Sequence, residues 1–169
     1  MFQSAQEAQG VKLLEVLDML SRGQQPRLLV VGDTIVDHFV ACDPLGMSNE
    51  APVVVVKELE TQNYVGGAGI VAAHVAALGA RCTFLSVTGA DDPAKFVASR
   101  LTDFGVDTQL LEDTSRPTTF KIRYLVENQK LFRVSRLKEH KIAGQIEDQL
   151  IASIVDMAPD IDGILVSDF

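Results

Sequence analysis

Leu13, Val16, Leu17 and Leu20 recur at i, i+3, i+4 and i+7, the spacing of one face of a helix. Residues 1–26 are therefore read as a helical extension, ended by Arg22-Gly23 and Pro26. The pattern then changes. Leu28-Leu29-Val30-Val31-Gly32 is a short, unbroken apolar run rich in β-branched residues, as expected of a strand buried on both faces of a parallel sheet. Further extended stretches are predicted over 36–41 and 53–60, separated by a loop with Pro44, Gly46 and Pro52. Asn63 to Gly69 reads as a glycine-bearing turn, after which Val71, His74, Val75 and Leu78 mark the apolar face of a helix closed by Gly79.

Cys82 to Thr88 is another buried strand, and Asp92-Pro93 offers an N-cap and first residue for a helix carrying Val97, Leu101 and Phe104. Phe120, Ile122, Tyr124 and Val126 alternate with Lys121, Arg123, Leu125 and Glu127, the period of a half-exposed strand, and Asn128-Gln129 turns it into a second strand over 131–136. Ile146, Leu150, Ile154 and Val155 define a last helix, and Gly163 to Ser167 a last buried strand. The fold class expected is α/β: a mostly parallel sheet flanked by helices, over 27–169. Because the chain stops where a parallel strand would lead into its next crossover helix, it is read as the N-terminal half of a longer domain. Open parallel sheets bind ligands beyond the carboxyl ends of their strands, which directs attention to the residues after Gly32, Thr88 and Ser167.

Composition narrows the chemistry. With 47% hydrophobic and 22% charged residues in 169, the chain has enough apolar surface for one packed core without a staple. Cys42 and Cys82 stand far apart, and only three histidines are present, so no metal site is assigned and a reducing cytoplasm is expected. No basic segment leads into an apolar run at the N-terminus, and no apolar stretch approaches membrane-spanning length, so no membrane partner is expected. Net charge is −8, which argues against nucleic acid as a partner of the whole surface. Between Arg116 and Lys141, however, eight of the fifteen basic residues face only Glu127 and Glu139, a local +6 on a body that otherwise carries −14. A small anion suits that strip. The alternative is a non-catalytic module whose basic hairpin grips RNA or an acidic protein.

Candidate site residues follow. Asp33 and Asp37, spaced as G-D-x-x-x-D after the first strand, supply carboxylates that accept hydroxyl hydrogen bonds as a polyol requires. Gly66-Gly67-Ala68-Gly69 opens a helix and permits close backbone approach. Lys121, Arg123, Arg133 and Arg136 on one hairpin favour a phosphate or carboxylate. Neither a G-x-G-x-x-G fingerprint, a Walker P-loop nor a G-x-S-x-G elbow occurs, so a dinucleotide site, a P-loop nucleotide site and a hydrolytic triad are unsupported.

Taken in order, G-D-x-x-x-D at 32–37, N-E-A-P-V-V-V-V-K at 49–57, G-G-A-G at 66–69, L-G-A at 78–80 and T-G-A-D-D at 88–92 resemble the ribokinase-like (PfkB) carbohydrate kinases. Within that family the stretch from Thr118 to Arg133 looks most like the heptose 7-phosphate kinases. The resemblance implies a ribokinase-like core with a small β lid, its strands within 36–60 and 118–136, and a homodimer through that lid. It implies ATP and Mg2+ as cofactors of the whole enzyme, a sugar phosphate as substrate, and a catalytic base beyond residue 169, so that this half alone is inactive. On this reading Asp33 and Asp37 bind sugar hydroxyls, and Gly66 and Gly67 line the sugar site. Lys121, Arg123, Asn128, Gln129 and Arg133 belong to the lid region that meets the substrate phosphate. Ile70 stands where the family usually has Asn, and Ser135 where the heptose kinases commonly have Asp, which leaves a kinase for another sugar or a nucleoside as the alternative.

Overall fold

The computed structural model describes residues 23, 25–127 and 129–169. The helical extension expected at the N-terminus, but for its last residues, and the lid residue Asn128 lie outside the described residues. Among the described residues, eight strands and three α-helices follow one another: β1 (Arg27–Gly32), β2 (Thr34–Met47), β3 (Val54–Gly67), α1 (Ala68–Ala77), β4 (Arg81–Thr88), α2 (Asp92–Asp103), β5 (Val106–Glu112), β6 (Thr119–Val126), β7 (Gln129–Arg136), α3 (Gly144–Met157) and β8 (Gly163–Ser167).

The apolar runs assemble into a core sheet in the order β5-β4-β1-β8, every pair parallel. Helices α1 and α2 cover one face, where Val30, Phe84 and Val106 pack with Ala68, Ala72, Val97 and Leu101. Helix α3 covers the other, setting Leu150, Ile154 and Met157 on Leu29, Val31 and Leu85. Phe84, Leu29 and Leu85 are fully buried, and each such side chain contributes roughly 1.5–3 kcal/mol through burial. The second sheet runs β3-β2-β6-β7, with β2 antiparallel to β3 but parallel to β6, and β7 antiparallel to β6. It leaves the core sheet where β1 passes into β2 at Asp33, directly at the carboxyl end of the central strand.

Several local expectations give way to tertiary pairing. The loop foreseen around Pro44 and the turn foreseen over Asn63–Gly69 are taken up by regular structure, Pro44 and Gly46 in β2, Asn63 to Gly67 in β3 and Ala68 and Gly69 in α1: β2 and β3 form one long ladder from Thr34↔Gly67 to Met47↔Val54, absorbing Pro44 and Gly46 as register shifts. Cross-strand pairs outweigh the turn propensity of single residues there. Strand β5 carries no clear alternation and escapes the sequence pattern altogether. The N-cap of α2 is Asp91, not Asp92: the Asp91 Oδ1 accepts from the Ala94 N–H at 3.1 Å. Gln129 belongs to β7, paired with Val126, and the positive φ at the hairpin (49°) falls on Glu127. Finally β8, expected to be buried, is an edge strand with Val166 78% exposed, since among the described residues it pairs with β1 alone. His74 and Val155, both read as apolar-face positions, are exposed on their helices.

Candidate functional site

Strands β2, β3, β6 and β7 place their alternate residues on one face, in two rows. The first crosses the sheet as Tyr64, Asp37, Lys121 and Ser135, and the second as Gln62, Phe39, Arg123 and Arg133. The G-D-x-x-x-D spacing thereby acquires a geometric meaning. Asp33 follows β1 directly, and Asp37 is the second inward position of β2.

The glycine pair seats both. Gly67 has φ +58°, and a Cβ there would lie 2.4 Å from the Asp33 carbonyl oxygen. The tight approach lets Ala68 N–H, the first of α1, donate to that same oxygen at 2.9 Å. At Gly66 a Cβ would meet the Asp37 Oδ2 at 2.6 Å, so only glycine leaves room for the carboxylate. Asp37 Oδ1 accepts from the Arg123 guanidinium, and both side chains are about four-fifths buried. Arg123 also lies over the Phe39 ring, 5.4 Å from its centroid, and Phe39 meets Tyr64 edge-on at 5.4 Å. Beyond them the same face opens into a groove of about 590 Å³ bounded by Phe39, Gln62, Tyr64 and Leu125.

Asp33 faces a smaller cleft of about 170 Å³ shared with Thr34, Thr118 and Thr119. Its Oδ2 accepts from the Phe169 N–H at 3.3 Å. Burial pushes its carboxyl above the ordinary 3.8, and a hydrogen bond with Asp168 and that residue's charge push the same way, against the Phe169 N–H and the Lys121 ammonium. Asp168 follows β8 and was not singled out from sequence, although the general rule about strand ends points to its position.

The structure thus gathers Asp33, Asp37, Gly66, Gly67, Lys121, Arg123 and Arg133 along one face at the carboxyl end of β1. It does not gather the whole basic strip. Arg136 lies on the opposite face, over Phe120 at 5.7 Å. Arg116 and Lys138 join a separate cluster with Asp113, Ser115 and His140. Gln129 pairs with Val126 at the hairpin tip, five residues and about 17 Å along the strand from Lys121. Ile70, in the first turn of α1, packs partly buried against the core. Among the described residues no three His, Cys, Asp or Glu side chains are grouped to hold a metal ion, and no helix is long and apolar enough to cross a membrane.

In fold the chain is similar to a carbohydrate kinase from Agrobacterium tumefaciens, with TM-score 0.66 and 15% identity over 84% of this chain and 45% of that one. It is likewise similar to phosphofructokinase-2 from Escherichia coli in complex with fructose-6-phosphate, with TM-score 0.64 and 16% identity over 85% and 45%. Residues 25–153 match the model of the pfkB family carbohydrate kinases, and the chain belongs to that family. Its relatives include the bifunctional protein HldE of Helicobacter hepaticus, 35% identical over 147 residues, which are 86% of this chain and 30% of that protein. The D-beta-D-heptose 7-phosphate kinase of Bordetella bronchiseptica is 36% identical over 143 residues, 85% of this chain and 45% of that protein. The chain therefore spans less than half the length of these curated relatives.

Proposed function

We propose that this chain is the sugar-binding half of an ATP-dependent carbohydrate kinase whose parent phosphorylates a heptose 7-phosphate in the supply of ADP-heptose for lipopolysaccharide, in the cytoplasm. The observation that carries the reading is the convergence of two carboxylates, a glycine pair and three cations on one face at the end of β1. Asp33 and Asp37 accept hydrogen bonds from sugar hydroxyls, which carboxylates hold more strongly than neutral acceptors do. Gly66 and Gly67 let the ring approach the backbone. Lys121, Arg123 and Arg133 neutralise the phosphate the substrate already bears, and Ser135, opposite Lys121, leaves that ammonium available to an anion. The names of the heptose-kinase relatives support the sugar class.

ATP and Mg2+ belong to the parent in this reading. Among the described residues no three His, Cys, Asp or Glu side chains are grouped to hold a metal ion, and the sequence has no Walker P-loop. The chain's own part is positioning and charge neutralisation, on which such transfers chiefly depend. The β3-β2-β6-β7 sheet acts as the lid. Its opposite face, with Phe132 and Val134 partly exposed and Tyr124 stacked on Phe132 at 4.6 Å, is where a second copy docks.

Isothermal titration of the 169-residue chain with heptose 7-phosphate tests the proposal. Binding is expected for the native sequence and a loss of about tenfold or more for Asp33→Ala, the scale of a lost charge-assisted hydrogen bond. Equal affinity of both forms removes Asp33 from the site, and ADP release by this chain alone overturns the division of labour.

A further inference from the structure

Two of the proposed ligand groups already hold each other. Arg123 donates to Asp37 Oδ1, Asp37 Oδ2 lies against Gly66, and the Asp37 side chain is only 22% exposed, so a sugar hydroxyl reaches Oδ1 only in competition with Arg123. Its partner is over-supplied with like charge. Arg133 lies directly across from Arg123 on β7, and Lys121 lies beside Asp37 on β6. Among the described residues, the Asp37–Arg123 contact is the one ion pair that any of these three cations makes.

We propose that Arg123 makes hydroxyl recognition by Asp37 conditional on a phosphate, so that the pair selects sugar phosphates over free sugars. The inference rests on the sugar-phosphate reading of this face. A phosphate dianion offers the planar guanidinium two oxygens and more charge than a carboxylate, with Lys121 and Arg133 alongside to share it. It draws Arg123 away and frees Asp37 Oδ1 for the sugar. A sugar without phosphate has only neutral hydroxyls with which to displace an arginine from a largely buried carboxylate, and a hydrogen bond between neutral groups returns less than the charged one it replaces. Phosphate thereby contributes twice, by its own contacts and by releasing Asp37. The second contribution is a coupling between two parts of one ligand.

That coupling is measurable with the two parts supplied separately. In calorimetric titrations of the 169-residue chain, saturating inorganic phosphate is expected to raise the affinity for free heptose about threefold to tenfold, the scale of releasing a partly buried ion pair. Chloride at matched ionic strength is expected to leave it unchanged. Arg123→Gln should raise the free-heptose affinity by the same factor, abolish the phosphate effect and weaken heptose 7-phosphate. If free heptose responds neither to phosphate nor to Arg123→Gln while heptose 7-phosphate weakens, Arg123 is a phosphate contact only; the gate falls and the site reading stands. If Arg123→Gln weakens both ligands together with a lower melting temperature, the pair is a structural staple and the gate falls. If the native chain binds no heptose 7-phosphate, the site reading falls and takes the gate with it. Should the variant not fold, the phosphate titration of the native chain still decides.

Discussion

The basic stretch from Arg116 to Lys141 touches two carboxylates, and it treats them differently. Asp113 is 4% exposed. Its Oδ1 accepts from the Ser115 N–H at 2.9 Å and hydroxyl at 2.6 Å, and its Oδ2 from Arg116 Nε at 3.0 Å. Arg116 then donates to the His140 carbonyl at 2.5 Å, and Lys138 to the Ser115 carbonyl at 3.0 Å. Each charged side chain of that cluster has a hydrogen-bond partner, Arg116 and Asp113 in each other and Lys138 in a backbone carbonyl, and the loops before β6 and after β7 are tied together by it. Asp37 instead meets one of three neighbouring cations, and no carboxylate of the described residues pairs with Lys121 or Arg133. Buried polar groups in a structural network are satisfied, because leaving one unpaired costs stability. A surplus of charge kept on a concave face is what a ligand of opposite sign completes. The same segment thus carries a brace and a site.

The largest expected effect falls on the brace. Asp113→Ala leaves Arg116, only 18% exposed at its side chain, without its carboxylate, and the melting temperature is expected to fall by roughly 5–10 °C. Hydrogen bonds from Ser115 hold Asp113 below the ordinary 3.8. An acid with a lowered folded pKa stabilises the fold above its unfolded pKa, and this stability is lost as pH falls through the folded value. Thermal melts from pH 6 downward should therefore show less acid sensitivity in Asp113→Ala than in the native chain. An unchanged melting temperature would remove the distinction between the two clusters.

Gly66→Ala probes the other side with a smaller effect. The added Cβ collides with Asp37 Oδ2, the end of a side chain, whereas at Gly67 it would collide with the Asp33 backbone oxygen at positive φ. The melting temperature of Gly66→Ala should stay within about 3 °C of the native value, and affinity for heptose 7-phosphate should drop about tenfold as the carboxylate is displaced. A large fall in stability with intact affinity would reverse the assignment.

How much of this was legible beforehand depends on whether the determinant was local. The core strands announced themselves because β1 and β4 are apolar on both faces, Asp33 because it follows such a run, and Gly67 because the G-G-A-G stretch opens a helix. The length of β2 and β3 was not legible: their ladder is held by partners from 7 residues away at Met47↔Val54 to 33 away at Thr34↔Gly67, and Pro44 and Asn63 carry local signals for turns that pairing overrides. The charge strip was visible as a sum but not as a partition, since alternation puts Arg133 on the site face and Arg136 on the reverse only once the β6–β7 register is known. Asp91 shows the same limit. Its capping role was displaced by one residue because its carboxylate also accepts from the Thr118 N–H at 2.8 Å, a contact spanning 27 residues.

The smallest expected effect concerns Asp33, the one carboxylate on the site face whose neighbour is another carboxylate. Burial and Asp168 both raise its pKa above 3.8, so near that pH part of the population carries a proton where the sugar requires an acceptor. Hydroxyl binding should accordingly strengthen as pH rises through the raised value. Removing Asp168 deletes both the hydrogen bond to the protonated form and the repulsion of the charged form. Calorimetric affinity for heptose 7-phosphate, followed between pH 4 and 8, is expected to rise with an inflection that moves to lower pH in Asp168→Ala, with affinity at pH 8 changed less than about threefold. The substrate phosphate titrates in the upper part of that range, so inorganic phosphate binding measured in parallel supplies the baseline to subtract. An inflection that stays in place in Asp168→Ala would mean that the surrounding chain alone, rather than the neighbouring carboxyl, sets the protonation of Asp33.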